Sequence, residues 1–273
     1  MSETPAWVCV CSESGPHSIN AADFCIPAPE LLSSPIDSYY EFSEHVLQLG
    51  TPQGLGDSHT LGRLLLLGLV SGVEAYFRQV LSSVLRLCPI SREHASEQQV
   101  ALGAIDYYGS DQAELGIFDK SSLASYDGVA NWTKKLTGLP VQQGSAVAAS
   151  LLQFDRICHL RHAAVHAQGT LGSGSVKQVG LAASGRVVVS LDFAALQNAG
   201  AACHVAVRTY NRWLYEELVG RWHASGRLAR VWVDDRPAFE PLYELFRSAR
   251  DASGPAEAKD AYRLLPFGVR LRR

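Results

Sequence analysis

Between Leu151 and Gly169 the chain reads LLQFDRICHLRHAAVHAQG, which sets three histidines, two arginines, a cysteine and an aspartate among mostly apolar residues. Helical spacing sorts this mixture into two faces. Leu151, Phe154, Ile157, Leu160 or Arg161, and Ala164 recur at three- and four-residue steps and can face a core. Asp155, His159, His162 and His166 follow at steps of four, three and four, a second stripe along the same helix. Gly169 and the TLGSGS after it end the helix and put His166 in or near its last turn. Desolvating a titratable stripe is costly unless its members find partners, so the stripe is a candidate site.

Two imidazoles and a guanidinium are the minimal set for proton transfer around a phosphodiester. One ring takes a proton from an attacking hydroxyl, another donates to the leaving oxygen, and the arginine holds the nonbridging oxygens. With the 2'-hydroxyl of RNA as nucleophile the product is a 2',3'-cyclic phosphate, no metal is required, and DNA cannot react. The same residues also read as DxxxHxxHxxxH, a metal-ligand set on one helix. His159 and His166 would then lie about 10 Å apart along a straight axis, which makes convergence on one ion difficult. A third reading is structural, with the histidines hydrogen-bonded inside a core or solvated on its surface.

The elements that must position the stripe can be read around it. Residues 1–35 show no sustained period and form an irregular lead-in, with a short strand expected at Trp7 to Cys11. Ile36 to Leu49 has helical spacing and is broken by GTPQGLG. Asp57 or Ser58 can cap a long core helix carrying Leu61, Leu64, Leu65, Leu69, Val73, Tyr76, Phe77, Val80 and Val84, which Pro89 stops. Glu74 and Arg78 within it are spaced for an i, i+4 salt bridge; the functional alternative is that Glu74 faces the histidines and orients them. Ser91 to Tyr108 and Lys120 to Leu136 read as two amphipathic helices, and the site helix begins near Ser145. Val176 to Leu181 and Arg186 to Phe193 alternate with period two and predict a small hairpin. Asp192 can cap a last long helix from Phe193 to about Trp222. Beyond it RLARVWVDD predicts a short strand, PAFEPLYELFRSAR a helix, and the terminal arginines a solvated tail or a phosphate-contacting patch.

Composition narrows the classes. A chain of 273 residues with 47% hydrophobic and 19% charged residues can bury a core without disulfides or metals. Its net charge of -3 carries no overall sign of a nucleic-acid binder, which leaves room only for a local patch. Of the 24 cationic residues 19 are Arg, a bias that a GC-rich genome explains as well as phosphate binding does. The six cysteines follow no disulfide or CxxC pattern, and Cys9, Cys11, His17 and Cys25 match no familiar zinc finger. MSETPAW is unlike a signal peptide, and the apolar run Leu64 to Val73 is shorter than the ~20 residues of a membrane span. These features predict a reduced, cytoplasmic protein without membrane attachment.

Arg161, His162 and His166, in RHAAVH, resemble the R-[N/H/D]-x3-H signature of the HEPN superfamily. The looser R-x4-6-H pattern has about two chance matches in this composition, and two occur, from Arg161 to His166 and from Arg156 to His162. The stricter form has a chance expectation of roughly 0.06. GLVSGVEAYFRQVL also resembles the first long helix of HEPN proteins related to RiboL-PSP, with an acidic residue at the place of Glu74. The resemblance spans roughly residues 57 to 222. It implies a mainly α fold, an antiparallel HEPN-like helical bundle, here with a small β-hairpin insertion and a C-terminal appendage. The implied division is 1–56 as a lead-in with one helix, 57–222 as the helical domain and 223–273 as a C-terminal extension.

The implied activity is a metal-independent endoribonuclease acting as a toxin or antiphage effector. Arg161 and His166 match the family's catalytic Arg and His, and His162 its site-shaping polar residue; Glu74, His159 and Asp155 stand as supporting or orienting residues. No cofactor or metal is implied. The implied partners are RNA, a twin protomer completing a composite site, and an antitoxin or regulatory partner. A twin answers a geometric difficulty, because five residues along a helix turn about 140° and separate Arg161 from His166. HEPN toxins silenced by minimal nucleotidyltransferases carry a tyrosine two residues after the motif histidine, where this chain has Gln168. Two other readings stand beside this one: an inactive HEPN-like nucleotide-, RNA- or partner-binding module, and a metal-dependent hydrolase.

Overall fold

The apolar positions from Leu61 to Val84 become the axis of the fold. A computed structural model of the chain describes residues 15–28, 33–251 and 254–268. The chain divides into Met1–Leu32 and a body, Ser33–Arg273. Among its described residues the first unit holds one 3-10 turn, Ala21–Phe24, capped by Asn20 and exposed throughout. The strand expected at Trp7 to Cys11, two of the cysteines of the zinc reading and the terminal arginines lie outside the described residues.

The body is helical, and no strand occurs among its described residues. Helices α1 (Pro35–Gln48) and α2 (Pro52–Asp57) lead to α3 (His59–Leu87), capped where Ser58 accepts the Leu61 N–H at 3.3 Å. Leu66, Leu69, Val70, Val73, Phe77, Val80, Leu81 and Val84 are fully buried, so α3 is apolar on nearly every side. Its length and composition would also suit a membrane span. Here α1, α7 (Ala146–His166) and α9 (Phe193–Ala224) sheathe it. A Cβ at Gly72 would sit 2.7 Å from the Phe42 ring, and this missing methylene lets α1 close onto α3.

The site helix α7 wedges between α3 and α9. Phe154, fully buried, stands 6.1 Å from Phe77, which meets Tyr210 of α9 edge-on at 4.9 Å. Polar chains stitch these layers. Tyr76 Oη donates to Asn211 Oδ1 at 3.0 Å, and Asn211 Nδ2 donates to the Phe246 carbonyl at the end of α10 (Trp232–Phe246). Tyr210 shares a 2.7 Å bond with Thr133 of α6 (Tyr126–Thr137). At the far end of α3, Cys88 Sγ accepts from Trp222 Nε1 and from Arg221, which also donates to Ser91 and the Thr137 carbonyl. Burial alone would raise the Cys88 thiol pKa, but these donors and Ser91 outweigh it and lower it.

Several expectations give way to tertiary contacts. The predicted helix over Ser91 to Tyr108 is two pieces, α4 (Pro89–His94) and α5 (Leu102–Tyr108), because Ser91 is buried against Arg221 and α4 stops at Ala95. The helix expected from Lys120 starts only at Tyr126, after Ser125 caps it, and ends at left-handed Gly138. The β-hairpin is absent. Val176 and Val179, three residues apart, turn inward from a short helix α8 (Ser173–Gln178), and Gly180 ends it with φ +78°. The partner of 187–189 is instead the turn after α7, through Leu171 N–H to Val187 and Val189 N–H to Gly169. The strand expected in RLARVWVDD is replaced by the start of α10, since Trp232 and Asp235, one turn apart, are both buried against Tyr262 of α11 (Ala258–Arg263).

Because Phe154 is fully buried against Phe77, Phe154→Ala is expected to cost about 3–5 kcal/mol, read as a lower urea midpoint at unchanged slope. A loss below about 1 kcal/mol would contradict this packing.

Candidate functional site

Ser145 starts α7 by accepting the Ala148 N–H at 3.2 Å, and the helix stays regular through His166. The helix therefore does not loosen within RHAAVH, and Arg161 and His166 keep their angular separation of about 140°. Leu151, Phe154 and Cys158 face the core, while Asp155, His159 and Arg161 are half-buried and His162 and His166 exposed. Burial, with Cys203 nearby, pushes the Cys158 thiol well above its usual range and leaves it a neutral group.

Opposite this face runs the segment from Asp119 to Ser125, which has no regular structure of its own. Two charged groups of α3 hold it. Arg78 donates to the carbonyls of Phe118 and Ser121, and Glu74 Oε1 accepts the Leu123 N–H at 2.8 Å. Glu74 and Arg78 also form the expected i, i+4 pair at 3.2 Å. The alternative that Glu74 orients the histidines does not match these bonds, which run to Arg78 and to the loop. From α7, Asp155 Oδ1 accepts the Tyr126 N–H at 2.9 Å and docks the start of α6.

The loop and α7 enclose a cleft of about 210 Å³ lined by Ser122, Ala124, Ser125, Asp155, Cys158, His159, Arg161 and His162. His159 Nε2 stands 3.5 Å from Asp155 Oδ2. Arg161 Nε is buried and, among the described residues, has no hydrogen-bond partner. A buried guanidinium N–H without an acceptor carries a desolvation cost, and the same side chain is part of the cleft lining. His166 is not in the cleft lining. It lies one turn beyond, its ring 4.6 Å from that of His162. The four members of the stripe do not gather as a ligand set: no group of three or more metal-ligating side chains converges among the described residues.

Arg63 was not foreseen. Its Nε donates to the Val189 carbonyl at 3.0 Å and its Nη1 to that of Gln168 at 2.7 Å, so it clasps the turn that ends α7. A Cβ at Gly169 would lie 2.6 Å from this guanidinium, and Gly169 with φ +88° is the sequence signal for the close approach.

A second, more open cleft of about 680 Å³ shares no residue with the first, and it too was missed. Tyr40, Glu44, Phe193, His204, Arg208, Arg250 and Asp251 are among its lining. Its charges satisfy one another, Arg250 with Glu44 and Arg208 with Asp251, and Tyr40 donates to Asp251 at 2.8 Å. Asp37 holds this wall by accepting from Ser248 Oγ and the N–H groups of Ala249 and Arg250. Burial and then Arg208 lower the His204 pKa against the opposing pull of Asp251. Compared with protein-family models, curated proteins and solved structures, the chain matches none of them.

Glu74→Ala should cost about 1.5–3 kcal/mol and speed amide exchange at Leu123, since a charge-assisted bond to a half-buried backbone is lost; unchanged exchange there would refute the loop's dependence on Glu74. For His204 the folded pKa lies below the unfolded value of about 6.5, so the unfolded chain protonates first as pH falls and stability drops with it. The parental protein is expected to lose more thermal stability between pH 7 and 5 than His204→Gln; equal losses would refute this.

Proposed function

We propose that the chain is a HEPN-type, metal-independent endoribonuclease, acting in the cytoplasm as a toxin or antiphage effector. The observation that carries this reading is the Arg161 guanidinium, with its buried unpaired Nε, in a cleft shared with two imidazoles. Arg161 holds the nonbridging phosphate oxygens. His166 transfers a proton and His162 shapes the site between them. The 2'-oxygen forms a bond to phosphorus, the bond from phosphorus to the 5'-oxygen breaks, and the products carry 2',3'-cyclic phosphate and 5'-hydroxyl ends.

The position of His166 beyond the cleft supports a symmetric homodimer, in which the twin's motif completes the set. The helical bundle is the scaffold that such a composite site would use. The appendage after α9 and any antitoxin or regulatory partner belong to the same proposal.

The purified protein is expected to cut RNA in EDTA, leaving 2',3'-cyclic phosphate ends, and to spare DNA of the same sequence. Arg161→Ala should lower the rate about 100- to 1,000-fold. Cleavage of DNA, or loss of activity on chelation, would overturn the mechanism. The exposure of His162 and His166 favours a second reading, an RNA- or partner-binding module that does not cleave. Saturable RNA binding without cleavage between about pH 5 and 8 would select it.

A further inference from the structure

We infer that His159, a residue outside the R-H-x3-H motif, is the general base of this site, with Asp155 as its positioning residue. The inference rests on the ribonuclease reading and assigns one of its two proton transfers to a particular nitrogen.

The argument starts from where the cleft wall ends. Asp155 binds the Tyr126 N–H, so the loop of Ser122 to Ser125 lies alongside the turns of α7 that carry Asp155, Cys158, His159, Arg161 and His162. His166 sits about 6 Å farther along the axis than His162, past this wall. Of the two motif histidines only His162 enters the cleft, and the other imidazole within it is His159.

His159 also has a carboxylate beside its ring. Asp155 is itself fixed through Oδ1, and its Oδ2 faces His159 Nε2 at 3.5 Å. A carboxylate beside Nε2 favours the tautomer with the hydrogen on that nitrogen, which leaves Nδ1 with a lone pair. The chain thus presents a carboxylate–imidazole pair next to a guanidinium. His162 has no such carboxylate among the described bonds; its ring neighbour is His166.

The resulting step is balanced. His159 Nδ1 takes the proton of the 2'-hydroxyl as the 2'-oxygen bonds to phosphorus. The bond to the 5'-oxygen breaks, and that oxygen takes a proton from the protonated His166 that the twin protomer brings to the cleft. Exchange with water returns the one proton gained by His159 to the one lost by His166.

Single-turnover cleavage of an RNA oligonucleotide by the full-length chain, measured from about pH 5 to 8, tests this. His159→Ala is expected to lose about 100-fold or more in rate and to flatten the rising acid limb of the pH profile, which reports the base. His166→Ala should flatten the falling limb instead. Asp155→Asn, which keeps a neutral acceptor for Tyr126 N–H, should lower the rate and shift the acid limb at a temperature where circular dichroism shows the variant fully folded. His159→Gln serves where the alanine variant does not fold. If the His159 variants keep both limbs, whether at the parental rate or a reduced one, the assignment is overturned while the ribonuclease reading stands. If the parental protein cuts no RNA, that reading fails and this inference falls with it.

Discussion

The cleft exists because three charged side chains reach across to a segment that cannot hold itself. Between Phe118 and Tyr126 the backbone has no helix or sheet to satisfy its polar groups, so Glu74, Arg78 and Asp155 supply the partners. Two of these stand on α3 and one on α7, which means that the cleft's far wall records the relative placement of both helices. Charge-assisted bonds are strong enough to do this at a half-buried surface, where neutral ones would compete poorly with water.

The same device recurs wherever the bundle's apolar layers end. Arg221 and Trp222 gather Cys88, Ser91 and the end of α6 at one pole. Asp235 collects two backbone N–H groups and Tyr262 near the start of α10, and Asp37 does the same for the segment after it. Packing of α3, α7 and α9 supplies the non-directional part of the stability. These polar clusters specify which ends meet, because a buried donor or acceptor left unpaired is penalised far more than a pair is rewarded.

The proposed chemistry inherits a constraint from α7. A helix that stays regular through His166 keeps Arg161 and His166 on diverging directions, and only His162 bridges them. A single protomer therefore offers a cleft with a guanidinium and two rings, and a third ring on open surface. Either a twin protomer brings that outer imidazole to a second cleft, or the inner histidines carry more of the work. The carboxylate beside His159 gives the second possibility a physical basis within one chain.

Local chemistry was legible in the residues themselves. Ser58, Ser145 and Asp192 act as helix caps, Pro89 follows the end of α3, and Leu151 and Phe154 point to the core, because caps and helical periodicity depend on neighbours within a few residues. Tertiary structure alone decided the rest. Val176 to Leu181 alternates like a strand, yet its first three residues wind into α8 and the rest turn away, since over so short a run only the core chooses between period two and period three. The roles of Arg63 and Glu74, and the clefts of His159 and His204, depend on bonds between residues 29 to 211 positions apart. Nothing in sequence spacing sets such distances; the packing of α3 against α7 and α9 does.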